Sequence, residues 1–321
     1  RSEQLDDMFA KDVKAQGAMA VLLRDALKPN LIQTIEGTPA IMHTGPFANI
    51  AHGTSSIIAT DIALRLFDYV VIEAGFGSDL GAEKFFNIVT RAGNLKVDAC
   101  VLITTIRALK EHGHGVLEYG FSNLEKHVEN MRNFGVPVVV AVNKFPDDTD
   151  EEIELLRDHC SMKDVKVVVS EVYAKGSEGG ISLANTVVET IDNQPAKSIA
   201  YTYDLKDSLE TKIEKVAQTI YGAKGVTYTT GAKGTLKSLT KRGYGKLPIC
   251  IAKTQFSLSD NKALKGRPSG FDVEVVGADV SNGAGFVVVY MGEINLMPGL
   301  PEHPAAEDMD VDDEGSISGV F

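Results

Sequence analysis

Short runs of consecutive apolar residues recur along the first half of the chain, at positions 40–43, 69–72, 99–103, 136–142 and 165–169. Continuous apolar character, as opposed to alternation, is typical of strands buried on both faces, as in parallel sheets. Stretches with helical periodicity separate and follow these runs, at positions 55–67, 79–88, 123–134, 150–160 and 181–191. This alternation of strands and helices predicts an α/β fold with a doubly wound, mostly parallel sheet.

Two of the helix ends carry local signals. Thr149 and Glu152 have the spacing of a capping box, which predicts a helix that begins at Asp150. Gly135 follows the stretch 123–134 and predicts the end of that helix, because glycine readily adopts the left-handed conformation that terminates helices.

The alternation stops near residues 193–195, where the sequence reads Asn-Gln-Pro. Two amphipathic helices are predicted after it, at 205–221 and 233–241, and three strands at 248–253, 271–276 and 285–291. We therefore predict an α/β domain over 1–135, a second α/β segment over 136–200 and a small C-terminal α+β domain over 201–321.

The net charge of the chain excludes some classes of binding partner. The 321 residues include 44 acidic and 32 basic ones, for a formal net charge of −12. This charge repels nucleic acids and anionic membranes, so neither is an expected partner.

The three cysteines lie far apart and no His/Cys ligand spacing occurs, so no metal site is predicted. No apolar run is long enough to span a bilayer and the start does not resemble a signal peptide, which predicts a cytoplasmic protein.

Two glycine-rich segments follow predicted strands and lead into predicted helices. The first spans 45–56 and contains Asn49, and the second spans 73–81 and contains Gly75 and Gly77. Glycine allows close backbone approach and a helix N-terminus offers free N–H groups, so Asn49, Gly75 and Gly77 are candidate anion contacts. The alternative is a pair of tight turns with ordinary caps. As a dinucleotide fingerprint, Gly75-x-Gly77 is weak because the third glycine is missing.

Cationic and titratable groups cluster in the segment 104–115, which we interpret as a loop. Arg107, Lys110 and His112 lie there in an otherwise acidic protein, which favours phosphate or carboxylate binding. The alternative is a solvated surface segment.

A large aromatic residue follows each of two neighbouring predicted strands. Phe145 comes after the run 136–142 and Tyr173 after the run 165–169. Rings at the carboxyl ends of strands are poorly placed for the core and well placed to stack on a flat heterocycle. The alternative is that each ring covers a local apolar patch. The chain contains no GxxxxGK[ST] phosphate loop, no HExxH and no recognisable Ser-His-Asp order.

Several motifs together resemble the formate–tetrahydrofolate ligase family. The most specific is ITTIRALKEHG at 103–113, which is similar to the family signature V-A-T-[IV]-R-A-L-K-x-H-G. Further similar segments are GPFANIAHG (45–53), EAGFG (73–77), GAEKF (81–85), IYGA (220–223), AKTQ (252–255) and MPGLP (297–301). A Lys-Gly-x-x-Gly-Gly motif at 175–180 agrees as well, and the resemblance runs from about Val13 to Phe321.

The resemblance implies an activity and a site. Members join formate to tetrahydrofolate with Mg·ATP: formate attacks the γ-phosphoryl group to give formyl phosphate, and N10 of the folate then attacks the formyl carbon. The resemblance places the pterin between rings matching Phe145 and Tyr173, with Phe47 and Pro146 lining the same pocket. The segment 136–200 would then carry the folate site, and 1–135 the remainder of the nucleotide-binding domain. A monovalent cation is left open as a further cofactor.

One departure from the family limits what this chain is expected to do alone. The family's phosphate loop lies in an N-terminal region with no counterpart here, so the ATP phosphate site is expected outside this chain. We expect the chain alone to be inactive, as either a fragment or one subunit of a split enzyme with a P-loop partner, and the full enzyme to be a homo-oligomer. The alternative is a noncatalytic α/β assembly module that docks a P-loop ATPase, and a stand-alone nucleotide-binding protein is disfavoured.

Overall fold

The structure is a computed structural model that describes residues 8–45, 48–195, 197–292, 294, 303–312 and 314–319. By its internal contacts the chain divides into two compact units. Unit 1 comprises 1–46 and 51–203, and unit 2 comprises 47–50 and 204–321. Within the described residues, no helix is long and apolar enough to cross a membrane.

Unit 1 begins with helix α1 (Gln16–Leu23) and an antiparallel hairpin of β1 (Asn30–Gln33) and β2 (Pro39–Met42). Helix α2 (Ile57–Leu66) follows, and then a continuous helical segment built from the π-helical stretches Ser78–Ala82 and Phe85–Thr90 and a last turn α3 (Arg91–Gly93). The remaining elements are β3 (Cys100–Thr104), α4 (Ile106–His112), α5 (Leu117–Asn133), β4 (Val138–Asn143), α6 (Asp150–Ser161), β5 (Lys166–Ser170), α7 (Val172–Lys175) and α8 (Ile181–Asn193).

The sheet of unit 1 has three parallel strands in the order β3-β4-β5. Its central strand has every residue from Val138 to Val142 buried, as the continuous valine-rich run predicts. Helix α5 packs against β3 and β4, and helix α8 packs against β4 and β5. Phe86 and Phe134 stack in the same core, with ring centroids 4.5 Å apart. The predicted α/β fold class is confirmed.

Two predicted parallel strands are wrong. The run 40–43 falls in β2, which pairs antiparallel with β1 across a turn where Gly37 has φ +83°. Glycine suits that left-handed conformation, and a tight turn can connect only antiparallel strands. The run 69–72 forms no strand among the described residues, and the side chain of Val71 is 94% exposed.

Most predicted helices are confirmed, with shifts of up to six residues at their ends. At the start of α6 the Thr149 hydroxyl accepts a hydrogen bond from the Glu152 N–H at 3.2 Å, and the Glu152 carboxylate accepts one from the Thr149 N–H at 3.3 Å. This reciprocal pair is the predicted capping box. Gly135 follows α5 with φ +87°, as expected for a helix-terminating glycine.

Unit 2 combines helices with a four-stranded mixed sheet in the order β6-β8-β9-β7. Its elements are α9 (Leu209–Val216) with a π-helical extension Ala217–Tyr221, β6 (Gly225–Tyr228), α10 (Thr230–Lys241), β7 (Ile249–Ala252), β8 (Asp272–Ser281), β9 (Phe286–Met291) and a short hairpin of β10 (Asp310–Val311) and β11 (Ile317–Ser318). Strand β8 pairs parallel with β6 and antiparallel with β9, which in turn pairs parallel with β7. All four residues of β7 are buried, and α9 packs against it.

Candidate functional site

The carboxyl ends of the three parallel strands of unit 1 lie side by side. In the register of the sheet Thr104 pairs with Val142, and Asn143 pairs with Ser170. The chain leaves each strand at this edge, so the segments that follow start next to one another. In open α/β sheets this edge is where ligands bind.

Phe145 leaves the end of β4 in a tight turn. Its N–H donates a hydrogen bond to the Asp148 carboxylate at 2.8 Å, and its carbonyl oxygen accepts one from the Asp148 N–H at 3.1 Å. Pro146 lies inside this turn and is exposed. The ring of Phe145 is 50% exposed, although its backbone is fixed by two hydrogen bonds. The turn therefore holds an apolar ring at the surface.

Tyr173 follows β5 on the short helix α7, and its side chain is 98% exposed. The base of this segment is anchored, because the Glu171 N–H donates to the Gly179 carbonyl oxygen at 3.1 Å and Lys175 pairs with the Glu171 carboxylate at 2.7 Å. The rings of Phe145 and Tyr173, both in the described part of the chain, are not in contact with each other. Phe145 and Tyr173 are thus two exposed aromatic residues that follow adjacent strands at one edge of the sheet.

Two further candidates from the sequence are Phe47, for the folate pocket, and Asn49, for anion binding. Phe47 lies outside the described residues. Asn49 is buried in the turn Ala48–Ile50, which belongs to unit 2 and packs against β7. Phe145 and Pro146 follow β4, and Tyr173 follows β5, at the same edge of the unit 1 sheet, whereas Asn49 belongs to unit 2.

Gly75 and Gly77 form an irregular loop that packs against the start of the helical segment at Ser78. A Cβ atom at Gly81 would lie 2.1 Å from the Gly75 carbonyl oxygen, so the loop and the helix are in direct backbone contact. A Cβ atom at Gly77 would lie 2.5 Å from a carboxylate oxygen of Asp79. The Ser78 hydroxyl is hydrogen-bonded to Nδ1 of His127 at 2.7 Å. Glycine is therefore required by backbone packing at Gly81, whereas a Cβ atom at Gly75 would meet nothing within 4 Å.

The predicted cationic loop is a helix, so that interpretation of 104–115 is wrong. Thr105 caps α4 by accepting a hydrogen bond from the Ala108 N–H at 3.0 Å, and Ile106 and Leu109 are buried at helical spacing. Arg107 lies exposed on the first turn, near the sheet edge. His112 is the last residue of the helix.

Lys110 on the same helix is paired with a carboxylate of α6. Its ammonium group contacts the Glu152 carboxylate. The hydrogen bond from Lys110, together with the one from the Thr149 N–H, holds the pKa of Glu152 below its usual value. Arg107 is therefore better placed than Lys110 to meet an anion.

Comparison with known proteins identifies the family of the chain. The family model described as "Formate--tetrahydrofolate ligase" matches residues 1–321. The chain belongs to the formate–tetrahydrofolate ligase family.

Two curated relatives with that name are similar along nearly the whole chain. The one from Thermoplasma acidophilum is 53% identical over 325 residues, which covers 98% of this chain and 59% of the relative. The one from Thermoplasma volcanium is 53% identical over 322 residues, with the same coverage. The chain thus spans about three fifths of the length of these formate–tetrahydrofolate ligases.

A buried polar cluster in this family member was not predicted from the sequence. Glu83 is buried in the helical segment, where its Oε1 accepts a hydrogen bond from the Asn87 side chain at 2.8 Å. Its other oxygen, Oε2, has no hydrogen-bond partner among the described residues. Burial raises the pKa of Glu83 to about 7, although the Asn87 hydrogen bond and the charge of Lys84 oppose the rise. The only sequence signal was the GAEKF motif, in which a charged pair stands within an apolar stretch.

The described residues contain no group of three or more His, Cys, Asp or Glu side chains that could hold a metal ion. Burial raises the pKa of the Cys100 thiol to about 12, which disfavours the thiolate and hence a role as nucleophile.

Proposed function

We propose that the protein takes part in the ATP-dependent ligation of formate to tetrahydrofolate, and that this chain supplies the folate-binding and C-terminal part of the enzyme. The observation that carries the proposal is the placement of Phe145 and Tyr173, exposed and just beyond the paired ends of β4 and β5, in a member of the formate–tetrahydrofolate ligase family.

The proposed reaction has two steps. An oxygen of formate attacks the γ-phosphorus of ATP, ADP leaves, and formyl phosphate forms. N10 of tetrahydrofolate then attacks the formyl carbon, phosphate leaves, N10 loses its proton, and 10-formyltetrahydrofolate results. The second step needs the pterin held rigidly next to a short-lived acyl phosphate, which is a problem of positioning and electrostatics.

The residues of this chain would serve mainly the second step. Phe145 and Tyr173 would stack on the two faces of the pterin, with Pro146 at the side of the ring. Arg107, exposed beyond the end of the neighbouring strand β3, would meet the anionic phosphate of the intermediate. The phosphate loop that binds ATP would come from a P-loop region or subunit outside this chain, so the chain alone would be inactive. The proposal also includes the homo-oligomeric state of the full enzyme and any site for a monovalent cation in it.

An assembly module without a small-molecule site is the second candidate. The exposed apolar surface of unit 1 is the observation that favours it. Such a module would dock a P-loop ATPase and bind no folate.

The deciding experiment is an assay of 10-formyltetrahydrofolate formation with formate, tetrahydrofolate and Mg·ATP. The chain is tested first alone and then after co-expression with the part of the Thermoplasma acidophilum relative that it does not match. The proposal expects no product from the chain alone and product from the pair. A pair that forms a stable complex but yields no product, with a chain that binds no tetrahydrofolate, would instead support the assembly module.

A further inference from the structure

The hairpin of β1 and β2 contacts the segment that carries Tyr173. Glu36 lies in the turn of this hairpin, and its Oε1 accepts a hydrogen bond from the backbone N–H of Ser177 at 2.9 Å. The two residues are 141 positions apart in the chain and both belong to unit 1. This contact therefore attaches the segment that follows β5 to an element from the N-terminal part of the unit.

The turn that presents Glu36 is closed by hydrogen bonds of its own. The Gly37 N–H donates to the Thr34 carbonyl oxygen at 2.9 Å, and the Thr34 N–H donates to the Thr38 carbonyl oxygen at 2.9 Å. The Thr38 N–H also donates to the Thr34 hydroxyl at 3.0 Å. Strand β2 contacts α2, so the hairpin is attached to the rest of the unit. The Glu36 carboxylate is thus offered from a fixed base.

The segment that receives the carboxylate contains the Lys-Gly-x-x-Gly-Gly motif at 175–180. Gly176 has φ +60° and ψ −147°, a conformation that is essentially reserved for glycine. A Cβ atom there would lie 2.6 Å from Oε1 of Glu36, so a side chain would displace the carboxylate. A Cβ atom at Gly179 would lie 2.4 Å from the Glu171 carbonyl oxygen. Two glycines of the motif thus leave room for contacts that hold the segment.

Tyr173 depends on such contacts because its own helix is weakly held. Helix α7 has four residues and none of them is buried. A single helical turn has little stability of its own, so its orientation is set by the contacts at its two ends. Glu171, before the helix, is hydrogen-bonded to Gly179, and Ser177, after the helix, is hydrogen-bonded to Glu36.

We propose that Glu36 is a positioning residue for folate binding: it holds the turn at 176–180 and thereby keeps the ring of Tyr173 in the orientation that stacks on the pterin. The inference rests on the proposed function, in which Tyr173 is one of the two stacking rings. Without the contact from Glu36, the ring would have to be ordered at the moment of binding, and this ordering lowers the affinity. Glu36 acts through its hydrogen bond and not through its charge, since a carboxylate would repel an anionic folate.

The test measures the affinity of the full chain for tetrahydrofolate by isothermal titration calorimetry and the hydrogen exchange of the Ser177 amide. Glu36→Ala is expected to raise Kd by about two- to twelvefold, the range for one hydrogen bond, and to accelerate the exchange of this amide. Glu36→Gln lacks the charge but retains an oxygen that can accept the hydrogen bond. It should therefore bind and exchange as the wild type does.

Glu118→Ala is the matched control. Glu118 is exposed on the first turn of α5, so its removal changes the net charge by the same amount and should leave Kd unchanged. A positioning role also requires coupling to the ring that is positioned. In a Tyr173→Ala background, Glu36→Ala should have no further effect on Kd, because the ring that Glu36 orients is absent.

Three results would overturn the inference: a Kd that Glu36→Ala leaves unchanged, a Glu36→Gln variant that binds as weakly as Glu36→Ala, or a full further loss of affinity from Glu36→Ala in the Tyr173→Ala background. Thermal unfolding of each variant establishes that it is folded. Failure of the proposed function gives a different result. A wild-type chain that binds no tetrahydrofolate refutes the proposed function and the role of Glu36 with it, whereas wild-type binding that is insensitive to Glu36→Ala refutes only the role of Glu36.

Discussion

The backbone N–H of Lys144 donates a 3.0 Å hydrogen bond to the carbonyl oxygen of Ser170. This bond extends the ladder between β4 and β5 by one step beyond the last paired residues, so the chain leaves both strands at the same height. Phe145 is the next residue after Lys144, and Tyr173 lies three residues after Ser170. The relative position of the two rings therefore depends on sheet geometry at their base, with only short segments left to vary.

The first prediction concerns these two rings and tetrahydrofolate. Removing one stacking ring should weaken binding by about 1–3 kcal/mol, the range found for alanine substitution at base-stacking aromatics, or roughly five- to 150-fold in Kd. We expect this loss for Phe145→Ala and for Tyr173→Ala, measured by isothermal titration calorimetry. Tyr173→Phe should retain binding because the ring remains.

The control for the stacking prediction is Tyr119→Ala, which removes an exposed tyrosine of the same unit from α5, a helix that follows neither β4 nor β5. It should leave the affinity unchanged. Equal affinities for wild type, Phe145→Ala and Tyr173→Ala would refute the stacking arrangement.

A second prediction concerns the contact between the glycine-rich loop and the helical segment. A methyl group at Gly81 would lie 2.1 Å from the Gly75 carbonyl oxygen and 2.8 Å from the Ala74 carbonyl carbon. Both obstacles are backbone atoms, so relief requires the loop to move, and Gly81→Ala should destabilise by about 1–3 kcal/mol. Gly75→Ala is the control, because its Cβ meets nothing within 4 Å. A thermal unfolding midpoint of Gly81→Ala equal to that of Gly75→Ala would contradict the close contact.

The parallel strands were predictable wherever the local sequence alone determines burial. The run 136–142 consists of apolar residues, mostly valine, and it became the fully buried central strand β4. The run 40–43 is also mostly apolar, but its residues 40–42 pair in a hairpin, and the partner strand β1 begins with Asn30 and ends with Gln33. Pairing depends on the neighbouring strand, which the composition of a single run does not reveal.

For the candidate site, too, the sequence could place only those residues whose position depends on their local sequence. Phe145 and Tyr173 could be placed at the sheet edge because each follows a strand that is evident from its apolar run. The burial of Glu83 could not be predicted, because it depends on Asn87, which is itself held by Thr202 through two 3.0 Å hydrogen bonds. That partner lies more than 100 residues away in the sequence, and no local pattern indicates it.

A third prediction concerns helix α10 of unit 2. Gly234 lies in the helix interior, is exposed, and has no neighbour within 4 Å of where a Cβ would stand. Alanine restricts the unfolded chain and favours the helix, so Gly234→Ala should stabilise the protein by roughly 0.5–1 kcal/mol. Urea denaturation of the variant and the wild type measures this, and a lower midpoint for the variant would show that the site is not open.

The last prediction is a pH dependence that originates at Glu83. Its pKa is about 7 in the folded protein against 4.5 for an ordinary glutamate. Between these values the unfolded chain has already released the proton that the folded chain retains, so the free energy of unfolding falls as the pH rises through this window. The loss is complete above about pH 7 and amounts to roughly 3 kcal/mol, from the shift at about 1.4 kcal/mol per pH unit.

The variant that isolates this effect is Glu83→Gln, which cannot ionise and still offers an oxygen to the Asn87 side chain. We expect the difference in unfolding free energy between Glu83→Gln and wild type to move in favour of the variant by roughly 2.5 kcal/mol from pH 5 to pH 8. Urea denaturation at several pH values measures it, with the exposed Glu151→Gln as the matched control that should follow the wild type. Parallel stability curves for Glu83→Gln and wild type would mean that Glu83 already ionises with an ordinary pKa in the folded protein, and hence that its carboxylate is solvated and not buried beside Asn87.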